Sequence, residues 1–317
     1  MGLEILNNLL ASFLENEEFI EEDYSLVKEF ANMIVSARFP LGNSKYHIRI
    51  PLNKSIHYSL DFMSKLNKKY GEILEEIMKN KTMEFEYVNS KNKILSRYIF
   101  NDEEQKIKIY VRSNLEDTYT ISHETMHYIN TNPSNLTSNW DYMCEVFSIL
   151  TEKLQQDYFG SLPNGPKEYM NNERDTLFAL YVNACQLDFI IKLIFEYEQK
   201  KEINEYDIFY LVGKNPYYAE YATHNIIKCM EENELNFYTL QRYVIGGILS
   251  THMYERIHND KKKISEFIEL NDFVTQMSFI DTLKYLDLEV IDEDAVILSP
   301  ESNKLLRMQY EKRTKNC

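Results

Sequence analysis

The residues of this 317-residue chain best suited to chemistry lie in one run, Asp117-Thr118-Tyr119-Thr120-Ile121-Ser122-His123-Glu124-Thr125-Met126-His127, which contains the pattern His-Glu-x-x-His. On a helix, positions i and i+4 lie about one turn apart on the same face, so His123 and His127 can both reach one ion at ~2.0–2.1 Å. Glu124, offset by roughly 100°, can sit beside that ion and take a proton from its bound water. With 7 His and 50 acidic residues in the chain, chance supplies roughly 0.02 such patterns, so the run stands above background. The bland alternative is a helix that carries two ordinary polar histidines.

A third donor bears on that choice. The spacing predicts a helix over 140–158, WDYMCEVFSILTEKLQQDY, with Met143, Val146, Phe147, Leu150 and Leu154 as its apolar face. A short connection, TNPSNLTSN, lets the two helices run antiparallel and brings Glu145 to the same ion. Two His, one Glu and a water in the fourth position make an open, catalytic zinc set, with one Zn²⁺. Glu152 follows two turns later on the same face. It reads either as an outer partner that orients a histidine or as a solvated acid.

The elements that must hold these residues are mainly helical. Only 8 Gly and 7 Pro occur in the whole chain, which argues against a barrel or sandwich of many tight turns. Residues 3–35 carry apolar positions at helical spacing, and 37–55 read as an extended connector. Residues 56–81 return to helix through Tyr58, Phe62, Leu66, Tyr70, Leu74 and Ile77. From about 83 to 112 the period changes to two, in MEFEYV, SRYIF and KIKIYV, which predicts a small antiparallel sheet of three strands just before the His-Glu-x-x-His helix. Helices follow, broken near Asn132-Pro133, 162–166 and Asn215-Pro216. No repeat or low-complexity linker interrupts them, so 1–317 reads as one domain.

The net charge of −15 repels phosphate backbones and anionic lipid, so neither nucleic acid nor membrane is expected as a partner. The chain start lacks a basic segment followed by an apolar one, and no apolar run approaches membrane-spanning length. Four scattered cysteines without a CxxC pair suit reduced thiols and a cytoplasmic protein.

Three stretches resemble the thimet oligopeptidase and oligoendopeptidase F zinc metallopeptidases. NLEDTYTISHETMHYI resembles the family's approach to its His-Glu-x-x-His helix, and CEVFSILTE its second ligand helix. QRYVIGGILSTHMYERI resembles the later helix whose tyrosine faces the active site. Weaker similarity runs over about 55–300, with 1–45 as a short helical extension. The resemblance implies a helical catalytic domain that binds zinc through His123, His127 and Glu145, with Glu124 as general base. It also implies that Tyr243 donates to the oxyanion; the alternative for Tyr243 is a packed aromatic in a chain with 24 Tyr.

This sequence departs from the family pattern at several places. Asn233 stands where the family has a histidine ahead of that tyrosine, so oxyanion stabilisation is expected to be weaker or rebuilt from Tyr238, Asn236 or Gln241. LSRYIF replaces the glycine-rich strand segment. The family's N-terminal helical half has no counterpart, which implies a more open cleft, or one closed by a second copy or a partner chain. The expected activity is endopeptidase action on oligopeptides or on a protein target. The competing reading is a non-catalytic binding or regulatory protein that keeps the fold and the metal.

Overall fold

The computed structural model describes residues 2–16, 28, 31, 34–35, 48–88, 96–101, 104–131, 138–166, 168–169, 171–260, 262–273, 279–286, 289–292 and 295–297. The Cα framework divides into two compact units. The first comprises Met1–Pro40, Phe178–Ile248 and Ile280–Cys317, the second Leu41–Leu177 and Leu249–Phe279. Two of the boundaries fall inside long helices rather than in Pro- or Gly-rich linkers, so composition carries no sign of them.

The second unit begins with α1-independent elements: helix α2 (Leu52–Leu66) and helix α3 (Lys68–Lys79), α1 being Gly2–Asn16 of the first unit. The single helix predicted over 56–81 is thus two. Asn67 ends α2 and starts α3, and its side chain accepts from the Lys69 amide at 3.0 Å, a bond that favours a helix start over continuation. Strands β1 (Met83–Tyr87), β2 (Arg97–Asn101) and β3 (Glu104–Val111) follow. They form the predicted sheet with one difference. Its order is β1-β3-β2, with β2 antiparallel to β3 but β1 parallel to it. Alternation marks which residues face the core, here Ile107, Ile109 and Val111, but a period of two is the same for either strand direction.

Helix α4 (Glu116–Asn130) leaves β3 directly, and helix α5 (Ser138–Ser161) packs against it. Ile50, Leu115, Tyr119 and Phe159 make a buried cluster across the starts of α2 and α4 and the end of α5, with Tyr58, Tyr158, Leu162 and Tyr169 packed around it. The expected break near Asn132-Pro133 lies outside the described residues.

The first unit contains α1, most of α6 (Asn171–Lys200), α7 (Glu205–Val212), α8 (Pro216–Glu232) and the first half of α9 (Phe237–Asn259). The Asn7 side chain of α1 donates to the Ile203 carbonyl at 2.9 Å and accepts from the Ile203 amide at 2.7 Å. Gly247 of α9 faces Leu180 of α6 so closely that an added Cβ would lie 2.7 Å from its Cδ1, so the glycine there answers to helix packing. Helix α10 (Lys263–Phe273) closes the second unit, while α11 (Phe279–Tyr285) and the antiparallel pair β4 (Glu289–Asp292) and β5 (Ala295–Ile297) follow it in the chain.

Contrary to the expectation that no apolar stretch reaches membrane-spanning length, residues 175–200 of α6 are long and apolar enough, with a window of mean hydropathy 1.6. That window is 67% buried in the protein, and Leu187, Phe189, Ile190, Ile191, Leu193 and Ile194 are core residues. A helix apolar on nearly every side is what a protein interior requires. Asp188, Lys192 and Glu196 interrupt the run in the sequence and mask its length.

Candidate metal centre

The orientation of α4 is set at the corner where β3 ends. Asp117, in the first turn of the helix, accepts from the backbone amides of Arg112 at 2.8 Å and Ser113 at 2.7 Å. Ser113 adopts a positive φ of 60° and its carbonyl accepts from the Ile50 amide at 3.0 Å. Burial raises the Asp117 pKa, against the opposing pull of these backbone donors. The Tyr119 hydroxyl, two residues on, donates to the Tyr169 carbonyl at 2.9 Å. Sequence reasoning passed over Asp117. Its one signal was an acid in the first turn of a helix.

Held this way, α4 presents His123 and His127 on one face, and α5 runs antiparallel across it. The two Nε2 atoms are 3.0 Å apart, and Glu145 Oε2 lies 3.3 Å from that of His123 and 3.5 Å from that of His127. The three side chains are only 12%, 11% and 10% exposed. They form a group able to hold a metal ion, and they are the three residues singled out in the sequence.

The outer faces of both rings are also engaged. His123 Nδ1 lies 2.7 Å from Glu152 Oε1, and the other Glu152 oxygen takes a 3.5 Å bond from the Thr176 hydroxyl. Glu152 therefore orients a histidine and is not a solvated acid. His127 Nδ1 faces the Ser148 hydroxyl at 3.3 Å. Ser148 was missed in the sequence, although its place three residues after Glu145 puts it on the same face.

Donor and acceptor arithmetic tests whether the set fits a metal. A carboxylate only accepts, so Glu152 draws a ring proton of His123 to Nδ1, whereas the Ser148 hydroxyl beside His127 Nδ1 can donate or accept; the Nε2 atoms of both rings face inward. Glu145 Oε2 points to the same spot, buried and without a hydrogen-bond partner among the described residues. Two ring nitrogens and a carboxylate oxygen thus converge, and a positive charge there, from a metal ion or a ring proton, offsets the carboxylate. Burial works to lower the His123 pKa, but hydrogen bonds to Glu145 and Glu152 outweigh it and hold the pKa well above the ordinary value. Burial pushes Glu145 up, but the charge on His127 and the bond from His123 bring it well below the usual carboxylate range.

Glu124 is buried on α4 beside these ligands in sequence. Tyr243 is partly buried on the part of α9 that belongs to the first unit, whereas all three ligands belong to the second. Asn233 has a backbone role. It ends α8 in the left-handed region, φ 55° and ψ 39°, and its amide donates to the Cys229 carbonyl, a position that favours Asn or Gly. Of the other suggested donors, Asn236 donates to Glu232 at 3.1 Å, Tyr238 packs on Phe13 and Phe237, and Gln241 is buried.

No protein-family model matches this chain, and no curated protein does. Two solved structures share its fold. One, from Chlamydophila abortus, is assigned as a peptidase. It superposes at a TM-score of 0.57 and 14% identity over 98% of this chain and 55% of its own. The other, from Bacillus anthracis str. Ames, is assigned as an oligoendopeptidase F. It gives a TM-score of 0.55 and 13% identity over 98% of this chain and 59% of its own. The chain spans a little over half the length of the structures it matches, and the likeness establishes its fold as the mainly helical one of these two proteins.

Proposed function

We propose that this chain is a zinc-dependent endopeptidase acting on oligopeptides or a protein target. The observation that carries the reading is the convergence of His123 Nε2, His127 Nε2 and Glu145 Oε2, with Glu145 Oε2 buried and unpartnered. Two nitrogen donors and one carboxylate oxygen are the set that zinc hydrolases use. The likeness of fold to two proteins assigned as peptidases supports the same reading.

When bound, the ion supplies Lewis acidity, which polarises a carbonyl and brings the pKa of a water toward ~7. The remaining work falls to the chain. Glu152 and Ser148 engage the outward nitrogens of His123 and His127 and leave the inward ones facing the ion. Glu124 takes the proton from the water as it attacks the scissile carbonyl carbon, then delivers that proton to the leaving amine. The resemblance to the oligopeptidases assigns Tyr243 the donation of a hydrogen bond to the carbonyl oxygen as negative charge develops on it.

The test is zinc content alongside hydrolysis of a mixed peptide library, for wild type and Glu124→Ala. One equivalent of zinc in both, with cleavage by wild type alone, is the expected result. Zinc in both with no cleavage by wild type moves the reading to a non-catalytic, metal-holding protein. Absence of zinc from wild type overturns the ligand assignment.

A further inference from the structure

Two of the three proposed ligands have an outer partner: His123 has Glu152 and His127 has Ser148. Glu145 Oε2, the oxygen that faces both rings, has no hydrogen-bond partner among the described residues, which leaves Oε1 as the atom for a positioning donor. The pairs 123 with 152 and 127 with 148 define an antiparallel register, in which each turn forward on α4 meets a turn backward on α5. The next pair in that register is Asn130 with Glu145. Asn130 follows His127 by three residues, so it shares the ligand face of α4. It is 5% exposed, and neither its Nδ2 nor its Oδ1 has a hydrogen-bond partner among the described residues. The backbone beneath it is held, since the Thr131 amide and hydroxyl both reach the His127 carbonyl, at 3.0 and 2.8 Å.

A buried amide with both ends unsatisfied costs free energy unless something uses it. A buried carboxylate that serves as a metal ligand needs a donor to fix its orientation. The register puts these two needs opposite each other. We infer that Asn130 is the positioning residue of Glu145, donating Nδ2–H to its carboxylate, directly or through one ordered water, when the centre is loaded. The bond is not made in the arrangement described. The inference rests on the metal reading above and extends it to the third ligand.

The test uses the full-length chain and compares wild type, Asn130→Leu, Glu145→Ala and the double variant. Zinc affinity is read by competition with a chelator, and the geometry of the centre by the visible absorption of the cobalt-loaded protein. Asn130→Leu should weaken zinc binding about 10–100-fold and shift the cobalt spectrum. The melting temperature of its metal-free form should stay unchanged or rise, because an unsatisfied amide is replaced by an apolar group of similar shape. In the Glu145→Ala background the same substitution should cost no further affinity. Wild-type zinc affinity in Asn130→Leu overturns the inference, and so does an equal loss in the Glu145→Ala background. If wild type binds no metal, the metal reading fails and takes the inference with it, whereas wild-type zinc binding that Asn130→Leu leaves unchanged overturns the inference alone.

Discussion

Two buried clusters of charge, one in each unit, are built on opposite principles. In the second unit His123, His127 and Glu145 bring two ring nitrogens and a carboxylate oxygen to one spot, with Glu152 and Ser148 on the outward ring nitrogens. In the first unit Asp188 of α6 is 1% exposed, but Lys192, one turn on, reaches its Oδ2 at 2.6 Å, and the Tyr218 hydroxyl of α8 donates to the same oxygen. Lys192 also donates to the Tyr218 oxygen at 3.1 Å. The Asp188 cluster supplies its own cation. The histidine cluster does not. Burial and acidity are common to both, so the balance of donors and acceptors separates a metal site from a structural ion pair.

The sharpest way to break this contrast is to remove one carboxylate from each cluster. Glu145→Ala should weaken zinc binding enough to lose the metal on dialysis, while residual affinity stays measurable by chelator competition, whereas Asp188→Asn should leave zinc content at the wild-type level, both contents read by elemental analysis after dialysis. Zinc loss in both variants would erase the distinction. Next in size is Lys192→Met, which leaves the Asp188 carboxylate buried with only the tyrosine donor. It should cost about 3 kcal/mol in urea denaturation. Asp188→Asn should cost less, about 1 kcal/mol, because Lys192 is 38% exposed and can turn to water.

Smaller effects refine the histidine cluster. Glu152→Ala should weaken zinc about 10–100-fold by releasing the His123 ring, and Ser148→Ala should weaken it by less, since its 3.3 Å contact to His127 is the longer one. The last prediction concerns pH. The raised His123 pKa means that its proton stabilises the metal-free fold fully below about 6.5, the unfolded value. That contribution is lost as pH rises through the folded value. The lowered Glu145 pKa works in the opposite sense, contributing above the usual carboxylate range and fading as pH falls below it. Zinc competes with the His123 proton, so the rise in melting temperature on adding zinc should grow as pH increases from about 6 upward. A zinc-induced shift independent of pH would show that His123 releases no proton to the metal.

Much of this was legible in the chain, for reasons that differ by element. His123, His127 and Glu124 share one helix, so their relation follows from helical periodicity alone. The strands at 83–87, 97–101 and 104–111 announced themselves by a period of two, but the parallel pairing of β1 with β3 did not, because strand direction depends on the connection. Asn67 divides a run whose apolar spacing continues straight through it, so the break is visible only in its cap bond. Ser148 and Asn130 are common polar residues at helical positions, and nothing about their type marks them out. The register of α4 against α5 does. Asn233, read in the sequence as a lost histidine, is explained by a left-handed backbone that the sequence could not display.

The sequence by itself determined the helical character, the place of the small sheet and the three candidate ligands, because each of these rests on local spacing that survives in any fold the chain adopts. The tertiary structure alone decided that Glu145 meets the two histidines, that Glu152 holds a ring and that the chain divides within α6 and α9. Each of those facts depends on how one helix face registers against another. The pairing of residues distant in the chain is set by the packing of all the side chains between them, and a linear pattern does not contain it.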